Sequence, residues 1–172
     1  MAVGELESTD VRVKIRDPKA VAGLNFVTLG LYGLFWYYKI NRELRDFGRA
    51  TEDAELADST PWLSLLAVTL GGWVVVPPVV SYFGAARRLR RAEQQVAVEP
   101  GPTHAILALL VGSCAACLAG TFPLATPLLL GLALISTVAW AVGAALLQSR
   151  LNAVWKAQSM TELRLPAAVE FR

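Results

Sequence analysis

The chain has 172 residues, of which 55% are hydrophobic and only 17% are charged, and its formal net charge is +2. An average soluble domain is about one quarter charged, and so small a net charge does not indicate a nucleic-acid partner. Two cysteines are too few for a disulfide framework. The composition therefore favours one small domain whose surroundings are more apolar than water.

The charged residues are segregated along the chain. Lys, Arg, Asp and Glu are absent from residues 20–38, 61–86 and 104–148, and uncharged apolar runs of this length are typical of membrane helices. As helices, the three stretches would reach about 28, 39 and 68 Å, against about 30 Å for a bilayer core. Two prolines in TFPLATP, residues 121–127, predict a turn that divides the third stretch. We therefore expect an all-α integral membrane protein with four apolar helical elements.

Two topologies are consistent with the cationic residues. Four Lys or Arg residues lie in each of 1–19, 39–60, 87–103 and 149–172, and none lies in the 121–127 turn. Four ordinary spans would place twelve of these residues on the cytoplasmic side and four outside, whereas two re-entrant hairpins followed by two spans would place all sixteen inside. Positively charged loops stay in the cytoplasm, so both topologies predict two cytoplasmic termini. Four spans are the more common arrangement, but Gly30, Gly33 and Pro77-Pro78 within the first two elements favour hairpins.

The same pattern divides the chain into four parts. We expect a cytoplasmic tail at 1–19, a two-copy region at 20–93, a helical hairpin of elements 3 and 4 at 94–148, and a second cytoplasmic tail at 149–172. VRVKIR at 11–16 alternates apolar and basic residues, which predicts a short strand. ELRLP at 162–166 alternates more weakly, so the two tails either pair with each other, add to a partner's sheet or remain frayed.

Aromatic residues end the first element, basic residues follow the first two elements, and Trp155 follows the fourth. All are predicted to anchor their elements at the membrane surface. The same residues also explain why the loops would stay in the cytoplasm. The predicted anchors are Trp36, Tyr37, Tyr38, Lys39, Arg87, Arg88, Arg90, Arg91 and Trp155.

Small residues mark the predicted helix contacts, because they let two backbones approach closely in a membrane. Their four-residue spacing in elements 3 and 4 predicts a tight antiparallel hairpin. The predicted packing residues are Gly30, Gly33, Gly112, Ala116, Gly120, Ala139 and Gly143.

The sequence offers little for catalysis, which needs titratable groups placed together. His104 is the one histidine and lies at the start of element 3. Cys114 and Cys117 lie inside an apolar helix rather than at an exposed helix start that would stabilise a thiolate, so we interpret them as packing residues. We expect no catalytic residue, metal or cofactor, and therefore no enzyme.

The tetrapeptide VTLG occurs at 27–30 and again at 68–71, each time leading through an apolar stretch into a basic segment. The first copy begins a longer pattern, with Thr28, Gly30, Tyr32, Gly33, Trp36, Lys39, Ile40, Glu43 and Leu44 at its defining positions. This pattern resembles the bacterial membrane-protein family called domain of unknown function 4234. The resemblance covers roughly residues 15–93 and implies a degenerate second copy at 68–91 and a location in the bacterial inner membrane. It implies no activity.

These observations predict a non-catalytic accessory or scaffold subunit of a larger membrane complex, such as a transporter. Its expected partners are membrane lipids and other integral membrane proteins, with homo-oligomers as a further alternative. The alternative function is a self-assembling carrier or channel for lipid or another apolar solute, with a pathway lined by Asn25, Thr28 and Thr69.

Overall fold

The computed structural model describes residues 5–7, 12–70, 76–119 and 126–164, and these form two short strands and seven helices. The elements are β1 (Glu5–Glu7), β2 (Arg12–Lys14), α1 (Pro18–Val27), α2 (Leu31–Ala50), α3 (Ala54–Ala57), α4 (Pro61–Thr69), α5 (Val76–Gln95), α6 (Thr103–Ala119) and α7 (Thr126–Arg164).

The predicted strand at 11–16 is present as β2, but its partner is not the C-terminal tail. β2 pairs with β1 in an antiparallel ladder in which Leu6 lies opposite Val13. Residues 162–164, part of the second predicted strand, continue helix α7, and 165–166 lie outside the described residues. Pairing between the two tails therefore does not occur in the described part of the chain.

Element 1 is a helical hairpin and not one straight helix. Helix α1 ends at Val27, and the chain turns through Leu29 (φ 51°) and Gly30 (φ 90°) before α2 begins. Glycine adopts this left-handed conformation without steric cost, whereas leucine does so rarely. Because the chain folds back, Arg16 Nη1 lies 3.0 Å from Glu43 Oε2 although 27 residues separate them.

Elements 2, 3 and 4 follow the same plan. In the second hairpin, Ser81 of α5 donates to the carbonyl oxygen of Ser64 in α4 (3.3 Å), although residues 71–75 between these helices lie outside the described part. In the third hairpin, Ser136 of α7 donates to the carbonyl oxygen of Ser113 in α6 (2.8 Å). Each hairpin thus pairs a shorter first helix with a longer second one.

The three long helices, α2, α5 and α7, run parallel to one another. Tyr37 of α2 and Thr51, which caps the end of α2, contact Ser81 and Gln95 of α5. Both contacts join residues 44 positions apart, as two parallel helices require. The core lies between these helices and is rich in aromatic rings. Its largest fully buried side chains include Trp36, Tyr37, Phe47, Tyr82 and Trp155. Ile40, Leu44 and Phe47 share one buried face of α2 and belong to this core.

Charged and apolar surfaces lie at opposite ends of the hairpins. Of the large apolar side chains that are exposed in the described residues, all but Met160 lie in the three charge-free stretches. One helix within those residues, Thr126–Thr161, is long and apolar enough to cross a membrane. Four spans are therefore not confirmed. Residues 149–164, expected as a separate tail, continue α7 without a break.

Candidate functional site

A buried polar network joins the first hairpin to α7 at the charged end. Trp36 Nε1 donates to Gln148 Oε1 (2.7 Å), and Gln148 Nε2 donates to Asn152 Oδ1 (2.8 Å). Asn152 Nδ2 then donates to the carbonyl oxygen of Arg16 (2.7 Å), whose guanidinium pairs with Glu43. Buried polar groups that bond to one another fix one arrangement of the helices, because any other arrangement leaves them unsatisfied.

A second contact holds the hairpin tip to α7. Trp140 Nε1 donates to Asn25 Oδ1 (3.0 Å), and Asn25 Nδ2 donates to the carbonyl oxygen of Val21 (2.8 Å). Asn25 is fully buried. Gly33 lies against this pair, since a Cβ atom at this position would lie less than 3.0 Å from both Asn25 Oδ1 and Trp140 Nε1. The glycine predicted to pack helices therefore does so, by making room for a hydrogen bond.

Arg88 was predicted to face the membrane surface, but it points partly inward. Its guanidinium donates to Asn41 Oδ1, while Asn41 Nδ2 donates to the carbonyl oxygen of Tyr37. Burial lowers the pKa of Arg88, because a charged group loses solvation there. Tyr37 extends the link by bonding to Ser81 of α5 (2.9 Å between the two hydroxyls). Arg88 thus connects the first two hairpins and is not available as a free surface cation.

Two ion pairs link separate parts of the fold at the charged end. Arg150 Nε lies 2.8 Å from Glu93 Oε1, and the Glu93 side chain is only 1% exposed. Arg91 Nε lies 2.9 Å from Asp53 Oδ2, and Asp53 also caps the short helix α3. The hydrogen bond from Arg91 lowers the pKa of Asp53. The first pair joins α5 to α7, and the second joins α5 to the connection after the first hairpin.

The remaining predicted anchors fall into two groups. Trp36, Tyr37 and Trp155 were expected to face outward at the membrane surface, and the structure corrects this because each is at most 1% exposed. Their rings fill the core between the long helices. The outward-facing or half-buried anchors are Tyr38, Lys39, Arg87, Arg90 and Arg91.

The predicted packing residues also divide. Gly143 packs closely, because a Cβ atom there would lie 2.9 Å from Leu110 Cδ2. Gly30 serves the turn instead of a helix contact, and Gly112 is exposed with nothing within 4 Å of a Cβ position. Ala116 and Ala139 are half-buried, and Gly120 lies outside the described residues. The α6–α7 hairpin is antiparallel as predicted, but Gly112 is not part of its contact.

A cavity of about 250 Å³ lies beside the tip of the first hairpin, between α5, α6 and α7. Its polar lining includes Ser113, Cys114, Cys117, Ser136 and Thr137. The hydroxyls of Ser136 and Thr137 already donate to helix carbonyl oxygens. Within the described residues, no group of three or more His, Cys, Asp or Glu side chains is placed to hold a metal ion. The other residues that line the cavity are mainly apolar, among them Leu31, Leu34 and Trp140.

Sequence reasoning missed the polar residues that join the hairpins. Asn41, Gln148 and Asn152 were not singled out, although their positions carried a signal. Asn41 directly follows Ile40 on the buried face of α2, and Gln148 and Asn152 directly follow the buried Leu147 and Leu151 of α7. An amide on the apolar face of a helix indicates a buried hydrogen bond, because it would otherwise be costly to bury.

Comparison with models of protein families gives a match that covers most of the chain. No curated protein and no solved structure matches the chain. The model of a family described as domain of unknown function DUF4234 matches residues 16–153. The match extends past the predicted limit at residue 93, through α6 and most of α7, so it covers all three hairpins. The chain belongs to the DUF4234 family.

Proposed function

We propose that this protein is a non-catalytic accessory or scaffold subunit of a larger complex in the bacterial inner membrane. The observation that carries the proposal is the apolar surface at the hairpin tips. Leu31 is 72% exposed, Leu70 is 74% exposed and Leu130 is 67% exposed. Contiguous exposed apolar surface marks contact with a membrane or with another protein, and lipid is the solvent that this surface matches.

The hairpin fold supports the re-entrant topology. Helix α1 has 10 residues and α4 has 9, so each would reach about 15 Å, or half of the bilayer core. The third hairpin would cross fully, since α7 alone exceeds the thickness of the core. All sixteen cationic residues would then lie on the cytoplasmic side, in agreement with the positive-inside rule.

Cysteine labelling distinguishes the two topologies. Single cysteines at positions 55 and 97, in a background where Cys114 and Cys117 are replaced by alanine, are treated with a membrane-impermeant maleimide. In the re-entrant topology both positions are labelled from the cytoplasmic side only. Four spans would place position 55 outside and position 97 inside. A protein that leaves the membrane fraction under alkaline carbonate would contradict the membrane location itself.

The outer face of α6 supports a helical partner. Ala105, Ala108, Gly112 and Ala115 are all exposed, and their spacing of three, four and three residues places them on one side of the helix. Small residues on such a face allow another membrane helix to approach closely. Meanwhile the interior polar groups bond to one another, which favours a structural role over a catalytic one.

Site-specific crosslinking tests the accessory role. A photoreactive phenylalanine analogue at position 112 is expected to crosslink to a different integral membrane protein in intact membranes. The matched control is position 131, because Gly131 of α7 also has nothing within 4 Å of a Cβ position. Products at 131 but not at 112, products with lipid alone, or products only with a second copy of this chain would each contradict the proposal.

The carrier alternative has less support. Asn25, Thr28 and Thr69 were predicted to line its pathway, and the side chains of all three form hydrogen bonds within the fold. Asn25 bonds to Trp140, while the threonine hydroxyls donate to the carbonyl oxygens of Leu24 and Leu65 in their own helices. Flux of an apolar solute into liposomes that contain only this protein would favour the carrier function over the accessory function.

A further inference from the structure

A groove runs along the outer face of the first hairpin, between α1 and α2, with a volume of about 560 Å³. Volumes between about 300 and 1,000 Å³ are typical of sites for small molecules. One end of this α1–α2 groove is lined by Lys14, Arg16 and Lys39, and the other end is lined by Leu24, Tyr32 and Phe35. The groove is therefore amphipathic along its length.

Cations predominate at the first end. The lining residues include three cationic side chains and one carboxylate, that of Asp17. Asp17 is engaged as the cap of α1, where its Oδ1 accepts from the backbone N–H of Lys19 (2.9 Å). Glu43 opposes Arg16 from outside the lining. Lys39 Nζ lies 4.7 Å from the centre of the Phe35 ring, at the boundary between the charged and apolar ends. This end is complementary to an anion.

The other end is apolar and open. Leu24 is 44% exposed and Phe35 is 57% exposed, and both lie in the charge-free stretch before Lys39. Removing these side chains from water would be favourable by roughly 25 cal/mol per Å² of apolar surface. In a membrane, an acyl chain can pack against them. A ligand that satisfies both ends has a phosphate joined to a long hydrocarbon chain.

We propose that the α1–α2 groove binds one anionic phospholipid of the leaflet at the charged end of the protein. The phosphate lies beside Lys14 and Lys39, and an acyl chain extends along Leu24 and Phe35. A free phosphate or phosphorylated metabolite would leave the apolar end empty. This inference rests on the proposed membrane location, and it adds a lipid class and a site to it.

Native mass spectrometry of the full-length protein tests the proposal. The protein in detergent is given equal amounts of phosphatidylglycerol and phosphatidylcholine with identical acyl chains. We expect preferential retention of one phosphatidylglycerol. Each basic residue near an anionic lipid surface changes affinity about 5-fold, so Lys14→Gln with Lys39→Gln lowers that preference about 25-fold.

The matched control is Arg49→Gln with Lys156→Gln, which removes the same charge from exposed positions outside the groove. It keeps the preference. Ala20→Trp fills the groove without changing its charge and loses the preference. Equal losses in the lysine pair and the control, or displacement of the lipid by excess glycerol phosphate, would overturn the site. Failure of the protein to co-sediment with lipid vesicles would instead overturn the membrane location.

Discussion

Gly33 is a position at which the fold depends directly on the absence of a side chain. It lies on α2, and a Cβ atom there would lie less than 3.0 Å from both partners of the hydrogen bond between Trp140 Nε1 and Asn25 Oδ1. The variant Gly33→Ala must therefore break that bond and also disturb the packing of α1 against α2 and α7. In a straight span through residues 20–38, residues 25 and 33 would be two turns apart, and the same alanine would be harmless.

The expected destabilisation follows from three terms. Overpacking in a filled interior costs about 1–3 kcal/mol. A buried donor and acceptor left without partners cost about 1–3 kcal/mol more. The higher helix propensity of alanine returns about 1 kcal/mol. We therefore expect Gly33→Ala to lower the free energy of unfolding by about 3 kcal/mol.

The assay is equilibrium unfolding in mixed detergent micelles, followed by tryptophan fluorescence, to which Trp140 contributes. Gly23→Ala is the control, because Gly23 lies on α1 of the same hairpin with nothing within 4 Å of a Cβ position. It is expected to be neutral or slightly stabilising. Asn25→Ala should cost less in the Gly33→Ala background than alone, since the hydrogen bond is already lost there and removal of the Asn25 side chain relieves part of the clash. If Gly33→Ala and Gly23→Ala unfold with the same free energy, the hairpin contact does not exist.

Three further predictions concern the charged end. Arg150→Gln leaves the Glu93 carboxylate buried without its partner, so it costs about 3 kcal/mol in the same unfolding assay, and adding Glu93→Gln restores most of the loss. Gln148→Ala removes the partner of a buried tryptophan N–H and an amide and costs about 2–3 kcal/mol, against less than half of this for the exposed control Ser149→Ala. Because the pKa of Asp53 is lowered, its bond to Arg91 stabilises the fold at pH values above the ordinary pKa of 3.8. This contribution is lost as the pH falls through the lower pKa of the folded state. Melting temperatures measured from pH 6 to pH 2 should therefore fall more steeply in the wild type than in Asp53→Asn.

The apolar elements could be predicted from the sequence because exclusion of charge is a strong and local signal. The signal for the start of α4 is equally local, because Pro61 follows Ser59 and Thr60 and occupies the first turn of the helix, a position that proline favours. The strand at Arg12–Lys14 was also visible in the alternation of residues 11–16. Each of these features depends on neighbours in sequence, and sequence patterns report such neighbours directly.

The direction in which an aromatic ring points could not be predicted in the same way. Trp36 and Tyr37 follow an apolar run and precede Lys39, which is the pattern of a membrane-surface belt. Their partners, Gln148 and Ser81, lie 112 and 44 residues away, and no local pattern identifies them. An amphipathic ring suits a membrane surface and a polar pocket in a core equally well, so only the tertiary structure decides.

The doubled VTLG shows both a feature that the sequence predicts and one that it does not. In each copy the threonine ends or follows the short helix and donates its hydroxyl to the carbonyl oxygen four residues earlier, Thr28 to Leu24 (2.7 Å) and Thr69 to Leu65 (2.9 Å). The sequence repeat therefore marks the ends of two short helices. The third hairpin also pairs a shorter helix with a longer one, but it lacks the VTLG motif. Its equivalence to the first two hairpins therefore could not be seen in the sequence.

The turn of the first hairpin bears on whether a re-entrant hairpin is physically acceptable in lipid. Backbone N–H and C=O groups at membrane depth must be satisfied within the protein, because no water is present to bond them. Gly30 N donates to the carbonyl oxygen of Asn25 (2.8 Å), and Leu31 N donates to that of Thr28 (3.1 Å). Tyr32 N donates to the Thr28 hydroxyl oxygen (3.0 Å). These bonds satisfy backbone groups of the turn within the protein, as the proposed re-entrant topology requires, so the proposed partner is not needed there and would bind the outer face of α6.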